Sequence, residues 1–471
     1  MTAGPDYTRP VVDTPANWSA TADGVVSRGS LDPMALGQWW LVLDDPVLND
    51  LMNRAQQGNL DLKQADARLR QARAQRQLTR SENLPKASVG ATARRSRGSE
   101  QMGAGRSGGT STIYANSLDA SWELDLFGGK RRAAESAEAS LQASQEALRD
   151  VMVSLLAEVG LTYVQCRSAQ VRLSIMEDNL SSQTETYNIA VWRQQASLVS
   201  PLDVDQARVI LEQMRAELPT LRTGIQQAEH QLAVLLGVAP GSLMEQLDTD
   251  AARIPATFLP PAIGVPADVL RQRPDVREAE RKLAAQTAQI GVATAARYPE
   301  FTLSGSIGLE ALAIGDLYTA GARTAQGLLD AGMILFDGGQ IRQKIAIQTA
   351  LQEEALAAYE AAVLRALRDV EDALVACANE RTRESALQDA VSAGERAFKL
   401  ARDKYAAGLV DYQTVLSTQQ SLSSTQSALA SSRAEIVSNR IRLFKSLGGG
   451  WTPSLGNEVL TKAAGRTGAA E

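Results

Sequence analysis

The residues that most often catalyse reactions or bind metals are few in this chain. Its 471 residues include one histidine, His230, and two cysteines, Cys166 and Cys377. Both cysteines lie inside helical patterns without metal-ligating neighbours, which excludes zinc sites of the usual kinds. A single imidazole excludes triads that need more than one histidine, and no nucleophile–base spacing occurs elsewhere. We therefore predict that the protein is not an enzyme and uses no metal or other cofactor.

Charge and composition favour long helices and argue against a nucleic-acid partner. The net charge is −6, whereas a nucleic-acid-binding surface is usually basic. Hydrophobic residues make up 44% of the chain but aromatic residues only 4%. This balance is typical of long helices packed through small contacts. No run of the sequence approaches the roughly 18 apolar residues that a transmembrane helix needs.

Two stretches alternate apolar and polar residues until a pair of glycines interrupts them. The first is Trp122-Glu-Leu-Asp-Leu-Phe-Gly-Gly129, and the second is Met333-Ile-Leu-Phe-Asp-Gly-Gly339. An earlier alternating run precedes each of them, so we expect hairpins at about residues 86–126 and 300–336. Strands of about ten residues with one apolar face are long enough to cross a membrane as β-strands.

A long helical pattern follows each hairpin. Apolar residues recur every three or four positions from about residue 130 to Ser197, and again from Gln340 to Ala407. So narrow a stripe is typical of a coiled coil. Each long helix turns and returns as a shorter one. The short helical segments at 46–83 and 203–236 can stack end to end into one column beside a long helix.

Landmarks at a constant offset indicate an internal two-fold repeat. Cys377 follows Cys166 by 211 residues, and Gly448 follows Gly237 by the same number. Their equivalent positions favour packing roles for the cysteines, with a disulfide as the alternative. The predicted domains are an extended N-terminal arm (1–45), a first repeat (46–237), a linker (238–266), a second repeat (267–450) and a C-terminal tail (451–471).

Four membrane-length strands per chain are too few to close a barrel, since even small barrels need about eight. An open sheet in lipid would leave backbone groups unpaired at its edges. Two chains would leave no conduit, whereas three supply twelve strands and a lumen. We therefore predict an α+β membrane protein, a trimeric 12-stranded outer-membrane β-barrel continued by a long periplasmic α-helical barrel. The alternative is a periplasmic coiled-coil spacer or adhesin, which would share the helices but not the strands.

Several motifs resemble the trimeric outer-membrane efflux proteins of the TolC/OprM type. They are Trp122-Glu-Leu-Asp-Leu-Phe-Gly128, Leu270-Arg-Gln-Arg-Pro-Asp275, Phe301-Thr-Leu-Ser-Gly305 and Ser446-Leu-Gly-Gly-Gly-Trp451. The resemblance covers nearly the whole chain. It implies the exit duct of a tripartite efflux system in a Gram-negative outer membrane, passing drugs or other small toxic compounds. It also implies a homotrimer with a periplasmic adaptor and an inner-membrane pump of the RND type as partners.

The two helix–turn–helix tips are the predicted gate and docking surface. By resemblance, this end of the duct is closed at rest and opens when the adaptor docks. The gate candidates are Asp203, Tyr405 and Asp411, and a helix N-cap is the alternative interpretation of Asp203. A later carboxylate of the family corresponds to Ser417 here, which is a departure. The predicted adaptor-facing residues are Ser197, Leu198, Val199, Ser200, Gly408, Leu409 and Val410.

Two further features concern lipid. The opening Gly4-Pro-Asp-Tyr7 resembles the start of mature lipoprotein members of the family. This implies that Met1 stands where the native precursor carries an acylated cysteine. Near a glycine-rich loop, four arginines either contact lipopolysaccharide phosphates or form a solvated loop margin. They are Arg94, Arg95, Arg97 and Arg106.

Overall fold

The structure is a computed structural model that describes residues 2–19, 27–28, 36–98, 110–247, 253–255, 262–263 and 266–451. Met1 and Arg106, for which lipid contacts are predicted, lie outside these residues. The chain divides into two compact units. The first unit comprises residues 1–11, 67–145 and 278–361, and the second comprises residues 12–66, 146–277 and 362–471. Each unit therefore contains segments from both halves of the sequence.

The first unit contains a four-stranded antiparallel sheet. Its strands are β1 (Lys86–Arg97), β2 (Thr110–Leu124), β3 (Glu300–Ala311) and β4 (Arg323–Gly332), in the order β1-β2-β3-β4. Two hairpins thus pair through β2 and β3. Within the part of the chain that the structure describes, the outer edges of β1 and β4 have no partner strand.

The two faces of this sheet differ sharply in polarity. Directly paired residues of an antiparallel sheet lie on the same face, and one row contains Val89, Leu118 and Ile307. All three side chains are exposed. Side chains alternate between faces along each strand, so the other face carries polar residues, among them Asp119, Glu123, Thr302, Ser306 and Asp330. The sheet therefore presents one apolar and one polar surface.

Both hairpins end earlier than the alternating pattern predicts. The pattern continues to Leu126 and to Phe336, but β2 ends at Leu124 and β4 at Gly332. Gly332 pairs with Glu300, the first residue of β3, so residues beyond it have no ladder partner. Apolar alternation therefore extends beyond the hydrogen-bonded strand, because periodicity records a face and not a pairing partner.

An aspartate then begins each long helix. Asp125 accepts bonds from the backbone N–H groups of Lys130 (3.3 Å) and Arg131 (3.0 Å). Asp337 accepts them from Gly339 (2.8 Å) and Ile341 (2.6 Å). These carboxylates satisfy N–H groups that have no partner inside the helix. Because of these bonds, the pKa of the Asp337 carboxyl is held below its ordinary value.

Residues 2–11 of the N-terminal arm pack within the first unit, whereas the described residues of the arm from Val12 onward belong to the second. Ala3 N donates to Phe127 O (2.9 Å), and Arg132 Nε donates to Ala3 O (3.1 Å). The Arg132 guanidinium, only 5% exposed, also pairs with Asp6. Tyr7 lies farther along the arm, and burial together with the charge of Glu280 raises the pKa of its hydroxyl to about 12. Ala3 and Asp6 are therefore tied to the start of a long helix by backbone bonds and charge, and Tyr7 donates to Glu280 (3.2 Å).

Eight longer helices account for most of the chain that the structure describes. They are α1 (Pro46–Gly58), α2 (Leu60–Ser81), α3 (Gly129–Gln195), α4 (Pro201–Leu235), α5 (Pro266–Gln272), α6 (Pro274–Ala295), α7 (Gln340–Ala406) and α8 (Tyr412–Ser446). Shorter elements are Trp39–Leu43, Met244–Leu247, Ile314–Asp316, Ala320–Ala322 and the parallel pair Ser27–Arg28 with Ala262–Ile263. Both α3 and α7 have 67 residues, and both α4 and α8 have 35. These equal lengths match the repeat offset. No described helix has a segment apolar enough to cross a bilayer.

Short helices meet end to end at one junction in each half of the sequence. In the first half, the α4 end reaches the break between α1 and α2, where Asn59 Nδ2 donates to Leu235 O (2.9 Å). In the second, the α8 end reaches the break between α5 and α6, where Arg273 Nη1 donates to Ser446 O (2.8 Å). Ser446 follows Leu235 by 211 residues, so the two junctions are equivalent but use different side chains. The predicted end-to-end contact of short helices is present at these junctions, but the segment 46–83, predicted as one helix, is divided into α1 and α2 at Asn59.

Candidate functional site

The two helix–turn–helix tips, both in the second unit, have the same backbone design. At the first tip Ser197 has a φ of 59°, and Leu198 N donates to Arg193 O (2.8 Å). At the second tip Gly408 has a φ of 74°, and Leu409 N donates to Lys404 O (2.9 Å). A left-handed residue followed by such a bond is the Schellman ending of a helix. The first tip adopts it without glycine, at a cost of roughly 1–2 kcal/mol.

A polar capping residue begins each returning helix, and a carboxylate takes part in both caps. Ser200 is the N-cap of α4, and Asp203 completes a capping box by accepting from Ser200 N (2.9 Å) and Ser200 Oγ (2.9 Å). Asp411 is the N-cap of α8 and accepts from Thr414 N (3.0 Å). The interpretation of Asp203 as the N-cap itself is therefore wrong by three residues: it is the third residue of the helix. Bonds to Thr414 lower the pKa of the exposed Asp411 carboxyl.

Tyr405 lies in a small buried core shared by the two tips. Its ring centroid is 5.3 Å from that of Tyr412, and the Arg193 guanidinium lies over its ring at 4.3 Å. Arg193 Nη2 also donates to Ala406 O (3.2 Å). A cation over an aromatic face is attractive, so Arg193 links the end of α3 to the end of α7. The core is completed by Ala190, Ala207, Ala401, Val415 and Leu416.

The hydroxyls of Tyr405 and Tyr412 are buried and have no hydrogen-bond partner within the described residues. Burial, followed by the charges of Tyr405 and Asp203, raises the pKa of Tyr412. Asp203 and Tyr405 therefore both lie near Tyr412, yet no hydrogen bond joins Asp203 to Tyr405 in the described chain. Buried hydroxyls are normally paired, so these two give the tip core an unsatisfied polar centre.

The remaining tip candidates are mostly exposed. Leu198 and Leu409 occupy equivalent positions and are 70% and 73% exposed. Val199 and Val410, one residue further on, are half-buried, and Ser417 is exposed. Sequence reasoning missed Arg193 and Tyr412, the two residues that join the tips. The sequence offered one signal for Tyr412: it is an aromatic residue that directly follows the Asp411 cap.

The potentially reactive residues contribute no site to the described chain. Cys166 and Cys377 are free and buried, so the disulfide alternative is wrong in this structure. Burial, with a smaller effect of Glu229, raises the pKa of the Cys166 thiol to about 12, and burial raises that of Cys377 to about 11. His230 is exposed. Both cysteines therefore serve as packing residues of helices.

Comparisons with known proteins agree with the motifs. A sequence profile of the outer membrane efflux protein family matches residues 51–238 and 265–449. The chain is 30% identical over 464 residues to outer membrane protein OprJ of Pseudomonas aeruginosa, covering 98% of this chain and 95% of OprJ. It is 30% identical over 455 residues to the toluene efflux pump outer membrane protein TtgF of Pseudomonas putida, covering 95% of this chain and 93% of TtgF. The structure of the outer-membrane channel OprN matches with a TM-score of 0.92 at 35% identity, covering 96% of this chain and 100% of OprN.

These matches extend over both sequence repeats and include the sheet as well as the helices. They confirm the family predicted from the motifs, and they do not favour a coiled-coil spacer or adhesin. The family consists of transport ducts that lie in the outer membrane of Gram-negative bacteria and extend into the periplasm. The chain belongs to the outer membrane efflux protein family and acts as the outer-membrane duct of an efflux system.

Proposed function

We propose that three copies of this chain close a 12-stranded β-barrel through which small toxic compounds leave the cell. The observation that carries the proposal is a four-stranded sheet with an exposed apolar face and, among the described residues, unpaired edges on β1 and β4. Unpaired backbone groups are very unfavourable in hydrocarbon. Because β1 and β4 run antiparallel, β4 of one chain can pair with β1 of the next. Closure after three chains leaves the polar faces around a lumen.

The first test is the mass of the detergent-solubilised protein. We expect three copies of the 50.4 kDa chain in native mass spectrometry, because only a closed ring satisfies both sheet edges. Introducing proline at Ala91, which lies within the edge strand β1, should reduce the trimer, since proline removes a ladder donor. A stable monomer or dimer with full β content would contradict the barrel.

We further propose that the helices continue the barrel as a periplasmic α-helical tube whose tips bind an adaptor. Each sequence repeat then contributes one hairpin to the barrel and one long and one returning helix to the tube. The exposed side chains of Leu198 and Leu409 support this role, because apolar groups repeated on equivalent turns are suited to burial by a partner. The proposed partners are that adaptor and an inner-membrane pump of the RND type. The name of the relative TtgF, a toluene efflux pump outer membrane protein, supports the inclusion of small apolar compounds in the proposed cargo.

Asp203, Tyr405 and Asp411 are proposed to hold the tips closed. In a trimer, the carboxylates of the half-buried Asp203 and the exposed Asp411 come from all three chains and can accept bonds from a neighbouring tip. Tyr405 positions the turns through Arg193 and Tyr412. Opening then requires the adaptor to replace contacts between tips with contacts to itself.

The gate is tested by single-channel conductance in planar bilayers. We expect Asp203→Ala with Tyr405→Phe to raise the conductance several-fold, because the proposed bonds of the Asp203 carboxylate to a neighbouring tip are lost, whereas phenylalanine keeps the ring contacts with Arg193 and Tyr412. Asp203→Asn is the matched variant: it keeps an oxygen that accepts within the capping box but removes the charge. If the charge holds the gate, Asp203→Asn also raises the conductance. Unchanged conductance in a folded trimer would leave Asp203 as a capping residue alone.

A further inference from the structure

The arginines near the β1–β2 loop do not form a single cluster. β1 and β2 pair without interruption from Lys86 to Arg97, so side chains alternate strictly between the two faces. Arg95 and Arg97 lie on the apolar face with Val89. Arg94 lies on the opposite, polar face. The predicted lipid-contacting group is therefore divided by the register of the strand.

Carboxylates are confined to one face of the sheet, the polar one, which also carries Lys86 and Arg94. Across all paired positions, the apolar face has three charged side chains, Arg95, Arg97 and Arg323, and no carboxylate. Acidic residues lie on the polar face, among them Asp119, Glu123, Glu300, Glu310 and Asp330. Within the described residues, none of the three arginines forms a salt bridge, and all are exposed. The apolar face, which contacts lipid in the proposed barrel, thus carries three cations and no carboxylate at its paired positions.

The position of these cations along the strands matches a membrane boundary. Thr112, paired with Arg95, lies ten residues along β2 from Trp122. With about 3.4 Å per residue and a tilt of about 40°, the two levels differ in height by about 26 Å. The apolar band of an outer-membrane barrel is about 25 Å tall with aromatic girdles at both borders. Trp122 donates from Nε1 to Asn83 O (2.9 Å), as expected at the helix-connected border, and Arg95 then lies at the loop border.

Aromatic and hydroxyl groups surround the same level. Tyr114 lies on the apolar face two residues from Thr112, and the exposed Tyr318 accepts a bond at its hydroxyl from Asn116 Nδ2 (3.2 Å). Thr110 and Thr112 lie directly opposite Arg97 and Arg95. Directly opposed side chains have Cβ atoms about 5 Å apart. Two guanidinium groups and two hydroxyls therefore project from one patch of the face.

We propose that Arg95 and Arg97, with Thr110 and Thr112, bind the phosphate groups of lipid A, the phosphorylated glycolipid anchor of lipopolysaccharide in the outer leaflet. Arginine forms paired bonds to phosphate oxygens, and the acyl chains of this ligand can cover the apolar rows below. In the proposed barrel, Arg323 on β4 lies on the strand beside the next chain's β1, which adds a third cation to each patch. The inference rests on the proposed barrel and names its lipid partner.

Native mass spectrometry of the detergent-solubilised protein with bis-phosphorylated lipid A tests this site. We expect Arg95→Gln/Arg97→Gln to weaken lipid A binding at least tenfold. Arg94→Gln is the matched control: it removes the same charge one residue away on the polar face, and we expect a change within twofold. Arg95→Lys/Arg97→Lys should recover part of the affinity, since charge remains but paired bonding is lost.

Several outcomes would overturn the lipid site. They are equal losses in the control and the double variant, unchanged binding in the double variant, and equal affinity for lipid A without phosphates. Displacement of lipid A by millimolar inorganic phosphate would indicate a free-anion site instead. The same spectra report the assembly mass, so failure of the barrel appears as a missing trimer, whereas failure of the lipid site leaves the trimer intact.

Discussion

Arg273→Met is expected to lower the melting temperature of the detergent-solubilised protein by several degrees. Arg273 is 8% exposed and lies at the junction of α5, α6 and α8. Its guanidinium donates to both carboxylate oxygens of Asp275 (3.0 and 2.7 Å), to Asp369 (3.2 Å) and to Ser446 O (2.8 Å). Methionine fills a similar volume but removes the guanidinium donors from two carboxylates and from a helix-terminal carbonyl.

The size of this effect follows from burial. Removing one partner of a buried ion pair costs about 3–5 kcal/mol. Because Asp275 and Asp369 remain 34% and 35% exposed, water can solvate them in part, and we expect the lower end of that range. The melting temperature of Arg273→Lys should lie between those of the unmodified protein and Arg273→Met, because one ammonium cannot make the forked contact of a guanidinium.

Arg368 provides the matched control, because it binds the same Asp369 carboxylate (2.8 Å) from an exposed position. Exposed pairs contribute about 0–1 kcal/mol, so Arg368→Met should leave the melting temperature nearly unchanged. Melting followed by circular dichroism at 222 nm distinguishes the variants. Equal shifts for Arg273→Met and Arg368→Met would show that the junction does not depend on the buried guanidinium.

Local pattern predicted the hairpins and the long helices of this chain, although not all of their ends. Alternation identified the two hairpins and their apolar faces, because a half-buried strand repeats every two residues. The narrow apolar stripes identified the long helices, and the 211-residue offset predicted that they would occur in matched pairs. Both the equal lengths of α3 and α7 and those of α4 and α8 agree with that offset.

Contacts between residues that lie far apart in the sequence could not be predicted. Arg273 was recognised as part of a family motif, but its bond to Ser446, 173 residues later, depends on how helix ends meet. The same holds at the tips, where Arg193 covers Tyr405 although no periodicity links them. Strand ends were overestimated for a related reason, because β4 stops where its partner β3 begins. Periodicity determines which face a residue occupies, whereas these contacts depend on the tertiary arrangement.

Gly237→Ala is expected to destabilise the stack of short helices by forcing two helix ends apart. Gly237 follows α4 with a φ of 72°, and a Cβ on it would lie 2.4 Å from Gly58 O and 2.9 Å from Gly58 C. These are backbone atoms at the α1–α2 break, which cannot move aside as the end of a flexible side chain can. The methyl group must therefore separate the helix ends that Asn59 and Leu235 join.

Variants at two other glycines distinguish the effect of this close contact from the effect of backbone strain. Gly241 has a φ of 89° with open space around the added Cβ, and Gly448, the repeat equivalent of Gly237, has a φ of 77° with Arg273 Cα at 3.3 Å. Alanine in the left-handed conformation costs roughly 1–2 kcal/mol at all three positions. Overpacking adds about 1–3 kcal/mol where no space exists. The expected order of destabilisation is Gly237→Ala, then Gly448→Ala, then Gly241→Ala.

The measurement is the yield of assembled protein together with its melting temperature in detergent. We expect Gly237→Ala to give little assembled material at 37 °C, with recovery at lower growth temperature, because the total cost approaches the margin by which proteins are stable. Gly241→Ala should assemble normally. If Gly237→Ala and Gly241→Ala behave alike, the left-handed backbone accounts for the whole effect, and the close approach of Gly237 to Gly58 does not stabilise the helix stack.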